Sequence, residues 1–276
     1  MTVELSPVNR PALRWHGGKW LLAPWIISHM PKHRVYVEPF GGAMSVLLRK
    51  TPSYAEIYND LDGEVVNLFR VLRSDRAQEL VKRIALTPFA RDEFAQAYEA
   101  SDDSVERARN LVIRSFMGFG SNSHERKTGF RANSNRSGTT PSHDWTNIPD
   151  NLSIIIERLR GVTVENKDAA EVMAQHDGVD ALHYVDPPYV MATRSDAATD
   201  YAHEMTDGDH ERLLSFLLGL QGMVLVSGYA NPIYDAALSG WKRLTKQAMA
   251  DGAKARTEVL WINPAAAKAM SGERLL

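Results

Sequence analysis

The segment RVYVEPFGGAMSVLLRK, residues 34–50, contains a short apolar strand, a turn with two glycines and an apolar-periodic helix in direct succession. Glycines after the first strand of a doubly wound sheet let a ligand approach the backbone, and ligands bind at the carboxyl ends of such strands. The G-x-G-x-x-G pattern of dinucleotide-binding proteins is not completed here. By itself the segment predicts either a ligand site or a tight turn at residues 39–42.

Strand-like and helix-like segments alternate through most of the remaining chain. Strand-like segments cover residues 54–62, 162–166, 180–186, 222–229 and 257–263. Helix-like segments cover residues 63–74, 149–160 and 207–220, and residues 75–118 look helical with a break at Thr87 and Pro88 and an N-cap at Ser104. This alternation predicts an α/β fold of the Rossmann-like, doubly wound type with a mostly parallel sheet.

Composition limits the class of protein. The chain has 276 residues, of which 44% are apolar, and this suits one α/β domain with an inserted subdomain. It has no cysteine, which excludes disulfides and thiolate metal sites. No apolar run approaches the roughly 20 residues that cross a bilayer, and no secretory signal is visible at the N-terminus. The sequence therefore predicts a cytoplasmic protein without a membrane partner.

Positive charge is concentrated in one part of the chain. The formal net charge is −2, so the whole chain lacks the basic balance typical of nucleic-acid-binding proteins. Residues 109–143, however, carry Glu125 as their one glutamate against six basic residues, Arg109, Arg114, Arg126, Lys127, Arg131 and Arg136. Residues 118–143 are also rich in Gly, Ser and Asn and too long for an ordinary connection. They are either a functional loop or hairpin or a disordered insert.

Three further segments carry residues suited to ligands. RWHGGKW, residues 14–20, could cradle a carboxylate or a phosphate, although a lone Gly-Gly-Lys is more often a solvated turn and the P-loop spacing is missing. Asp60 and Asp168 each follow a predicted strand. A carboxylate at that position either binds the ribose hydroxyls of a nucleotide or caps the next helix.

The stretch HYVDPPYV, residues 183–190, ends a predicted buried strand with Asp186-Pro187-Pro188-Tyr189. Proline cannot donate a hydrogen bond, so the Pro187 carbonyl is free to accept one while the Pro-Pro unit stays stiff. The Asp186 carboxylate and that carbonyl form two acceptors for an amine, and Tyr189 offers a face for a planar ring. The stretch therefore predicts a socket for a heteroaromatic ring that carries an exocyclic –NH₂.

These segments together resemble the Dam-type DNA adenine-N6 methyltransferases, class I enzymes that use S-adenosyl-L-methionine. The resemblance lies in RWHGGKWLLAPWI, VEPFGGAMSVLL, IYNDLDGEVVNLF, YVDPPY, MVLVSGY and TEVLWIN, which follow one another in the family's order. Residues 75–148 match poorly. The resemblance implies a catalytic domain of residues 1–74 and 149–276, with residues 75–148 as an inserted helical or hairpin subdomain that recognises the DNA target.

The resemblance also implies roles for individual residues. Lys19 would help to hold the methionine end of the cofactor, Asp60 would bind its ribose hydroxyls, and Asp168 would approach its adenine. The full set implied for the cofactor is Trp15, Gly17, Gly18, Lys19, Pro39, Phe40, Gly41, Gly42, Asp60, Asp168 and Asp186. The implied catalytic socket is Asp186, Pro187, Pro188 and Tyr189. The target adenine would flip out of double-stranded DNA, and the reaction would need no metal.

The basic segment supplies candidates for binding DNA, since Lys and Arg contact phosphates while Arg and Asn read base edges. The candidates are Arg114, Asn122, Arg126, Lys127, Arg131 and Arg136. The alternative is a solvated mobile loop. The segment departs from the asparagine- and tyrosine-rich hairpin of the Dam pattern, so a GATC target does not follow. A free-standing methylase, a phage-borne enzyme and the partner of a restriction endonuclease all stay open.

Rival functions predict different residues. Cytosine-N4 methyltransferases usually carry Ser where this chain has Asp186, and protein glutamine methylases usually carry Asn, so adenine is favoured. A non-catalytic DNA-binding module of the same fold would have lost the socket or the glycine turns, and both are present. A nicotinamide-dependent dehydrogenase would need the complete dinucleotide fingerprint. The sequence therefore favours adenine-N6 methylation of DNA, with cytosine-N4 methylation as the nearest alternative.

Overall fold

The computed structural model describes residues 4–120, 127–133, 138–191, 203–249 and 255–272. Its central feature is one seven-stranded sheet with the strand order β3-β2-β1-β4-β5-β7-β6. The strands are β1 (Val35–Glu38), β2 (Ala55–Asn59), β3 (Val162–Glu165), β4 (Ala181–Val185), β5 (Met223–Tyr229), β6 (Lys242–Met249) and β7 (Ala255–Ile262). Strands β1 to β5 pair in parallel, and β7 is antiparallel to both of its neighbours. The prediction of a mostly parallel, doubly wound sheet is therefore confirmed.

Helices cover both faces of this sheet. They are α1 (Ala23–Ile27), α2 (Ser45–Arg49), α3 (Gly63–Leu72), α4 (Ala77–Leu86), α5 (Arg91–Gln96), α6 (Ser104–Met117), α7 (Pro141–Thr146), α8 (Ile148–Arg158), α9 (Ala169–Gln175), α10 (Asp207–Leu218), α11 (Pro232–Ala237) and α12 (Pro264–Met270). Successive strand residues point to opposite faces, so Tyr36 of β1 joins one hydrophobic cluster and Val37 joins the other. Helices α9, α10 and α11 cover the second cluster. The described part of the chain contains no helix with the length and apolarity that crossing a bilayer requires.

The helices of residues 75–148 share a core with the sheet. Leu80 of α4 and Leu111 of α6 belong to the same buried cluster as Tyr36 and Tyr58 of the central strands. An antiparallel bridge joins Gly118 to Phe130 beyond the end of α6. This part of the chain therefore packs as an extension of one sheet face, and its separate role in target recognition stays a prediction.

One strand was not predicted, and one helix cap was predicted one residue too late. Strand β6 was missed because its sequence, KRLTKQAM, is largely polar and lies at the exposed edge of the sheet. The cap of α6 is Asp103, whose carboxylate accepts from the Val105 N–H, and Ser104 is the first helical residue. The predicted cap was off by one residue because serine and aspartate suit an N-cap about equally.

A buried ion cluster contacts both ends of the link between β2 and α2, the helix that follows the glycine turn. The Arg158 guanidinium of α8 contacts both oxygens of Glu56 on β2, at 2.6 and 2.9 Å. Lys50, just after α2, lies 2.6 Å from Glu56 Oε1, and Arg158 Nη2 donates to the Leu47 carbonyl at 2.7 Å. Breaking such a pair would leave an uncompensated buried charge. The cluster therefore ties β2, α8 and α2 into one arrangement and fixes the helix that follows residues 39–42.

Candidate active site

A cavity of about 490 Å³ opens at the carboxyl ends of the parallel strands. This is the edge where doubly wound sheets bind ligands, and the volume lies within the roughly 300–1,000 Å³ of ordinary ligand pockets. Every residue that the sequence predicted for the cofactor lines this cavity: Trp15, Gly17, Gly18, Lys19, Pro39, Phe40, Gly41, Gly42, Asp60, Asp168 and Asp186. Segments far apart in the sequence thus meet at a single site.

The glycine turn after β1 has no room for side chains. A Cβ on Gly41 would lie 2.1 Å from Cε2 of Tyr58, and the Gly41 N–H donates to the Asn59 carbonyl at 2.8 Å. Gly42 has φ of +45°, and a Cβ there would lie 2.7 Å from Nε1 of Trp15. The turn is therefore tight, as one of the two alternatives predicted, and it also lines the cavity.

Asp60 holds this turn from the end of β2. Its Oδ2 accepts from the Gly42 N–H at 2.7 Å, and its Oδ1 accepts from the Asp62 N–H at 2.9 Å. Burial raises the pKa of Asp60 to about 6, although these two hydrogen bonds act in the opposite direction. The cap of α3 is Asp62, which accepts from the Glu64 N–H. Asp60 is therefore not the helix cap, the alternative that the sequence had left open for it.

Asp168 is the cap of α9, one of the two roles that the sequence left open, and it also faces the cavity. Its Oδ1 accepts from the Ala170 and Glu171 N–H groups and thereby caps α9. The same residue lines the cavity. A helix cap can therefore also present a carboxylate to the cavity.

Lys19 lies against the DPPY segment. Its ammonium is 2.9 Å from Asp186 Oδ2, 2.7 Å from the Gly17 carbonyl and 4.7 Å from the centre of the Tyr189 ring. Burial lowers the pKa of Lys19, but the carboxylates of Asp186 and Glu258 outweigh burial and raise the pKa overall. The ammonium therefore lies in the predicted amine socket.

Asp186 is held from two sides. Its Oδ1 accepts from the Ser227 hydroxyl at 2.7 Å, and its Oδ2 contacts Lys19. Its side chain is 15% exposed, and burial raises the pKa of Asp186 although Lys19 and Ser227 both lower it. Because burial disfavours the charged form, this carboxylate is a better proton acceptor than one in water.

Tyr189 completes the socket and leads to residues that the sequence did not predict. Its hydroxyl donates to Glu258 Oε2 at 3.2 Å, and its ring centre is 4.4 Å from that of Tyr229. Glu258 is 7% exposed, and burial raises its pKa although Lys19 lowers it. Glu258 and Ser227 were both missed. A lone acid inside the apolar run TEVLWIN is the signal that could have indicated Glu258, since buried charges require partners.

A second buried acid, Glu38, lies beside the cavity at the end of β1. Its Oε2 accepts from the Tyr36 hydroxyl at 2.7 Å and from the Leu47 N–H at 2.9 Å. Burial raises its pKa to about 8, against the effect of these two hydrogen bonds. Glu38 thus joins β1 to α2 and lines the cavity as a carboxyl group whose charged form is disfavoured by burial.

The candidates for DNA contacts occupy different environments. Arg114 is half-buried and its Nη1 donates to the Ala97 carbonyl at 2.6 Å. Arg131 is also half-buried and donates to the Phe116 carbonyl at 3.0 Å, whereas Lys127 is exposed. Asn122, Arg126 and Arg136 lie outside the described residues. All six DNA contacts remain predictions.

The basic excess of residues 109–143 is smaller than their charge count implies. Arg109 Nη1 lies 2.9 Å from Glu93 Oε2, and its Nη2 lies 2.6 Å from Glu106 Oε1. These acids lie outside residues 109–143, so the sequence count did not pair them.

No group of acidic and histidine side chains within the described ranges is arranged to hold a metal ion.

Comparisons with known proteins give the family of the chain. The family model of D12 class N6 adenine-specific DNA methyltransferases matches residues 15–251. The chain is 27% identical over 202 residues to a DNA adenine methylase of Vibrio cholerae serotype O1, covering 70% of each chain. It is 28% identical over 221 residues to the type II methyltransferase M1.LlaDCHI of Lactococcus lactis subsp. cremoris, covering 73% of this chain and 74% of the other. The matched range of this chain includes the glycine turn, the DPPY segment and Ser227. The chain therefore belongs to the D12 class N6 adenine-specific DNA methyltransferases and is an enzyme that methylates adenine in DNA.

Proposed function

We propose that the methyl donor is S-adenosyl-L-methionine, that it binds in the large cavity, and that Asp186, Pro187, Pro188 and Tyr189 hold the target adenine beside it. The observation that carries the proposal is the position of Asp186. This residue lines the cavity with the glycine turn and also begins the DPPY segment. A donor in the cavity and an amine on Asp186 would therefore be neighbours.

The residues around the cavity suit this cofactor. The turn at Gly41 and Gly42 leaves backbone where any side chain would collide with Tyr58 or Trp15. Carboxylates of Asp60, Asp62 and Asp168 line the cavity and can accept from ribose hydroxyls. The bound cofactor supplies an electrophilic methyl group on a positively charged sulfur. The carboxylates also make the surroundings favourable for that charge.

The socket would then orient the amine. Asp186 Oδ2 and the Pro187 carbonyl accept the two N6 hydrogens, so that the nitrogen lone pair is available for attack. Tyr189 offers its ring to the flipped base. Lys19 occupies Asp186 Oδ2 in the structure, so the incoming amine competes with this ammonium for the oxygen. The positioning of the two reacting groups accounts for much of the acceleration.

The test is transfer of labelled methyl from S-adenosyl-L-methionine to mixed-sequence genomic DNA, followed by nucleoside analysis. Cofactor binding is measured separately by equilibrium dialysis. Cofactor binding together with labelled N6-methyladenine would support the proposal. Labelled N4-methylcytosine would overturn the assignment of the base, and bound cofactor without label in DNA would overturn the assigned substrate. Absence of cofactor binding would overturn the assigned donor.

Double-stranded DNA is the proposed form of the substrate, with residues 75–148 as the part that contacts it. Flipping a base out of the duplex costs a few kcal/mol, which phosphate contacts help to offset. Lys127 is the exposed candidate among the described residues.

A restriction endonuclease with the same target is a further proposed partner, supported by the similarity to the type II methyltransferase of Lactococcus lactis. If such a partner exists, DNA methylated by this enzyme will resist its cleavage.

Replacement of Lys127 by alanine is expected to weaken binding to all DNA sequences about equally. One lost phosphate contact makes the dependence of log K on log salt concentration shallower by about 0.9. The measurement is fluorescence anisotropy with duplex DNA over a series of salt concentrations. Lys268→Ala, an exposed lysine on α12, is the matched control and should leave the slope unchanged. Equal slopes for wild type and Lys127→Ala would argue against a phosphate contact at this residue.

A further inference from the structure

Ser227 of β5 lies directly behind the proposed catalytic carboxylate. Its hydroxyl donates to Asp186 Oδ1 at 2.7 Å, and its Oγ is 2.8 Å from the hydroxyl of Tyr184 on β4. Ser227 is 3% exposed and Tyr184 is 1% exposed, so water does not compete for these bonds. Three polar groups on adjacent strands therefore form a buried chain that ends at Asp186.

The direction of this chain follows from counting hydrogens. An ionised carboxylate can only accept, so the single hydroxyl hydrogen of Ser227 must point to Asp186. Ser227 Oγ is then left as an acceptor, and the Tyr184 hydroxyl must donate to it. Burial raises the pKa of Tyr184 well above its ordinary value, so the phenol keeps its proton. The order of donation is fixed as Tyr184 to Ser227 to Asp186.

The two oxygens of Asp186 consequently have different environments. Oδ1 is occupied by a neutral donor that belongs to the sheet, whereas Oδ2 contacts the Lys19 ammonium. We propose that Ser227 is a positioning residue, which holds Asp186 through Oδ1 and thereby presents Oδ2 to the amine of the target adenine, with Tyr184 orienting Ser227. This proposal rests on the proposed function, because it needs Asp186 to bind that amine.

The backbone of Ser227 does not depend on its side chain. Ser227 pairs with Leu260 in the β5–β7 ladder, and the neighbouring residues of β5 pair on both sides of it. Removing the hydroxyl should therefore leave the strand in place and release the Asp186 carboxylate alone. A positioning role and a purely structural role can be distinguished for this reason.

The decisive comparison uses Ser227→Ala, Tyr184→Phe and Ser227→Thr in the full-length enzyme. Ser227→Ala is expected to lower kcat roughly 10- to 100-fold, since it removes a hydrogen bond to a charged group. The affinity for S-adenosyl-L-methionine, measured by equilibrium dialysis, should stay at the wild-type value. Tyr184→Phe should lower kcat less than Ser227→Ala does. Ser227→Thr should keep kcat near the wild-type value, because threonine retains the hydroxyl.

The pH profile gives the second readout. The Ser227 hydrogen bond stabilises the ionised form of Asp186 and lowers its pKa, so its loss raises that pKa. In a plot of kcat against pH, the acid limb, where kcat falls as Asp186 becomes protonated, should therefore move to higher pH in Ser227→Ala. The described titratable groups that interact with Asp186 include Lys19, Glu38 of β1, Tyr184, Tyr234 of α11 and Glu258 of β7. Ser227→Ala leaves all five in place.

Two results would overturn the positioning role while the proposed function stands. One is a Ser227→Ala variant with wild-type kcat and an unmoved acid limb. The other is a loss of activity that follows a loss of thermal stability, again with an unmoved acid limb, which indicates a structural role. A wild-type enzyme that transfers no methyl from S-adenosyl-L-methionine to adenine would overturn both proposals together.

Discussion

Asp186→Ala is expected to reduce the rate of methyl transfer by at least about 10²–10³-fold, the usual cost of losing a group that stabilises the reacting atoms. The variant loses the carboxylate that is proposed to orient the N6 amine and keeps the glycine turn and Asp60 of the cofactor site. Its affinity for S-adenosyl-L-methionine should therefore stay close to the wild-type value. Single-turnover transfer to DNA measures the rate, and equilibrium dialysis measures the affinity.

The thermal stability of Asp186→Ala must be measured as a control, because Asp186 neutralises a buried ammonium. Its removal leaves Lys19 without its nearest carboxylate, and breaking a buried pair costs about 3–5 kcal/mol. The double variant Asp186→Ala with Lys19→Met removes both charges and should recover part of the thermal stability without recovering activity. Substantial transfer by the single or the double variant would contradict the assigned mechanism.

The order of the chain's elements could be predicted because hydrophobic patterning is a local signal. The strands β1 to β5 are short apolar runs between helices, and the sheet they imply is the one observed. Strand β6 carries the opposite pattern, with Lys242, Arg243 and Lys246 in eight residues, because an edge strand needs little apolar surface. Its place in the sheet is set by pairing with β7, which periodicity does not encode.

The candidate site was predicted where its residues belong to motifs and missed where they meet through the sheet. The DPPY segment, the glycine turn and the strand-tip acids are visible in short stretches of sequence. Glu258 reaches Tyr189 because β7 pairs antiparallel with β5, opposite Tyr229. Ser227 reaches Asp186 because β4 and β5 are neighbours. Neither contact follows from spacing along the chain.

The partners of long charged side chains do not follow from the sequence. The resemblance implies that Lys19 holds the methionine end of the cofactor, which stays a prediction, and the structure adds that its ammonium lies 2.9 Å from Asp186 Oδ2. Arg114 stays a candidate for contacting DNA, and the structure shows that its Nη1 donates to the Ala97 carbonyl. A long side chain can reach several partners, so its partner depends on packing that the sequence does not contain.

Gly41→Ala is expected to damage the cofactor site by displacing the backbone of the glycine turn. The added Cβ would lie 2.1 Å from Cε2 of Tyr58, a fully buried ring whose hydroxyl donates to the Gly42 carbonyl at 2.8 Å. Either the ring or the turn must move, and overpacking of this kind costs about 1–3 kcal/mol. We expect a lower Tm and a cofactor affinity about tenfold weaker or worse, since 1.4 kcal/mol corresponds to a factor of ten.

Gly63→Ala is the matched control, because it makes the same chemical change where there is space. Gly63 is the first residue of α3, and a Cβ there would meet no atom within 4 Å. Alanine also favours a helix over glycine by up to about 1 kcal/mol, so this variant should keep or raise the Tm and bind cofactor normally. Thermal unfolding and equilibrium dialysis of both variants make the comparison. If Gly41→Ala matched Gly63→Ala in both measurements, the turn would be able to shift without cost. The short distance between the Gly41 backbone and the Tyr58 ring would then not explain why residue 41 is glycine. A lower Tm with unchanged cofactor affinity would instead mean that Gly41 serves the packing of Tyr58 and that the cofactor does not depend on this part of the turn.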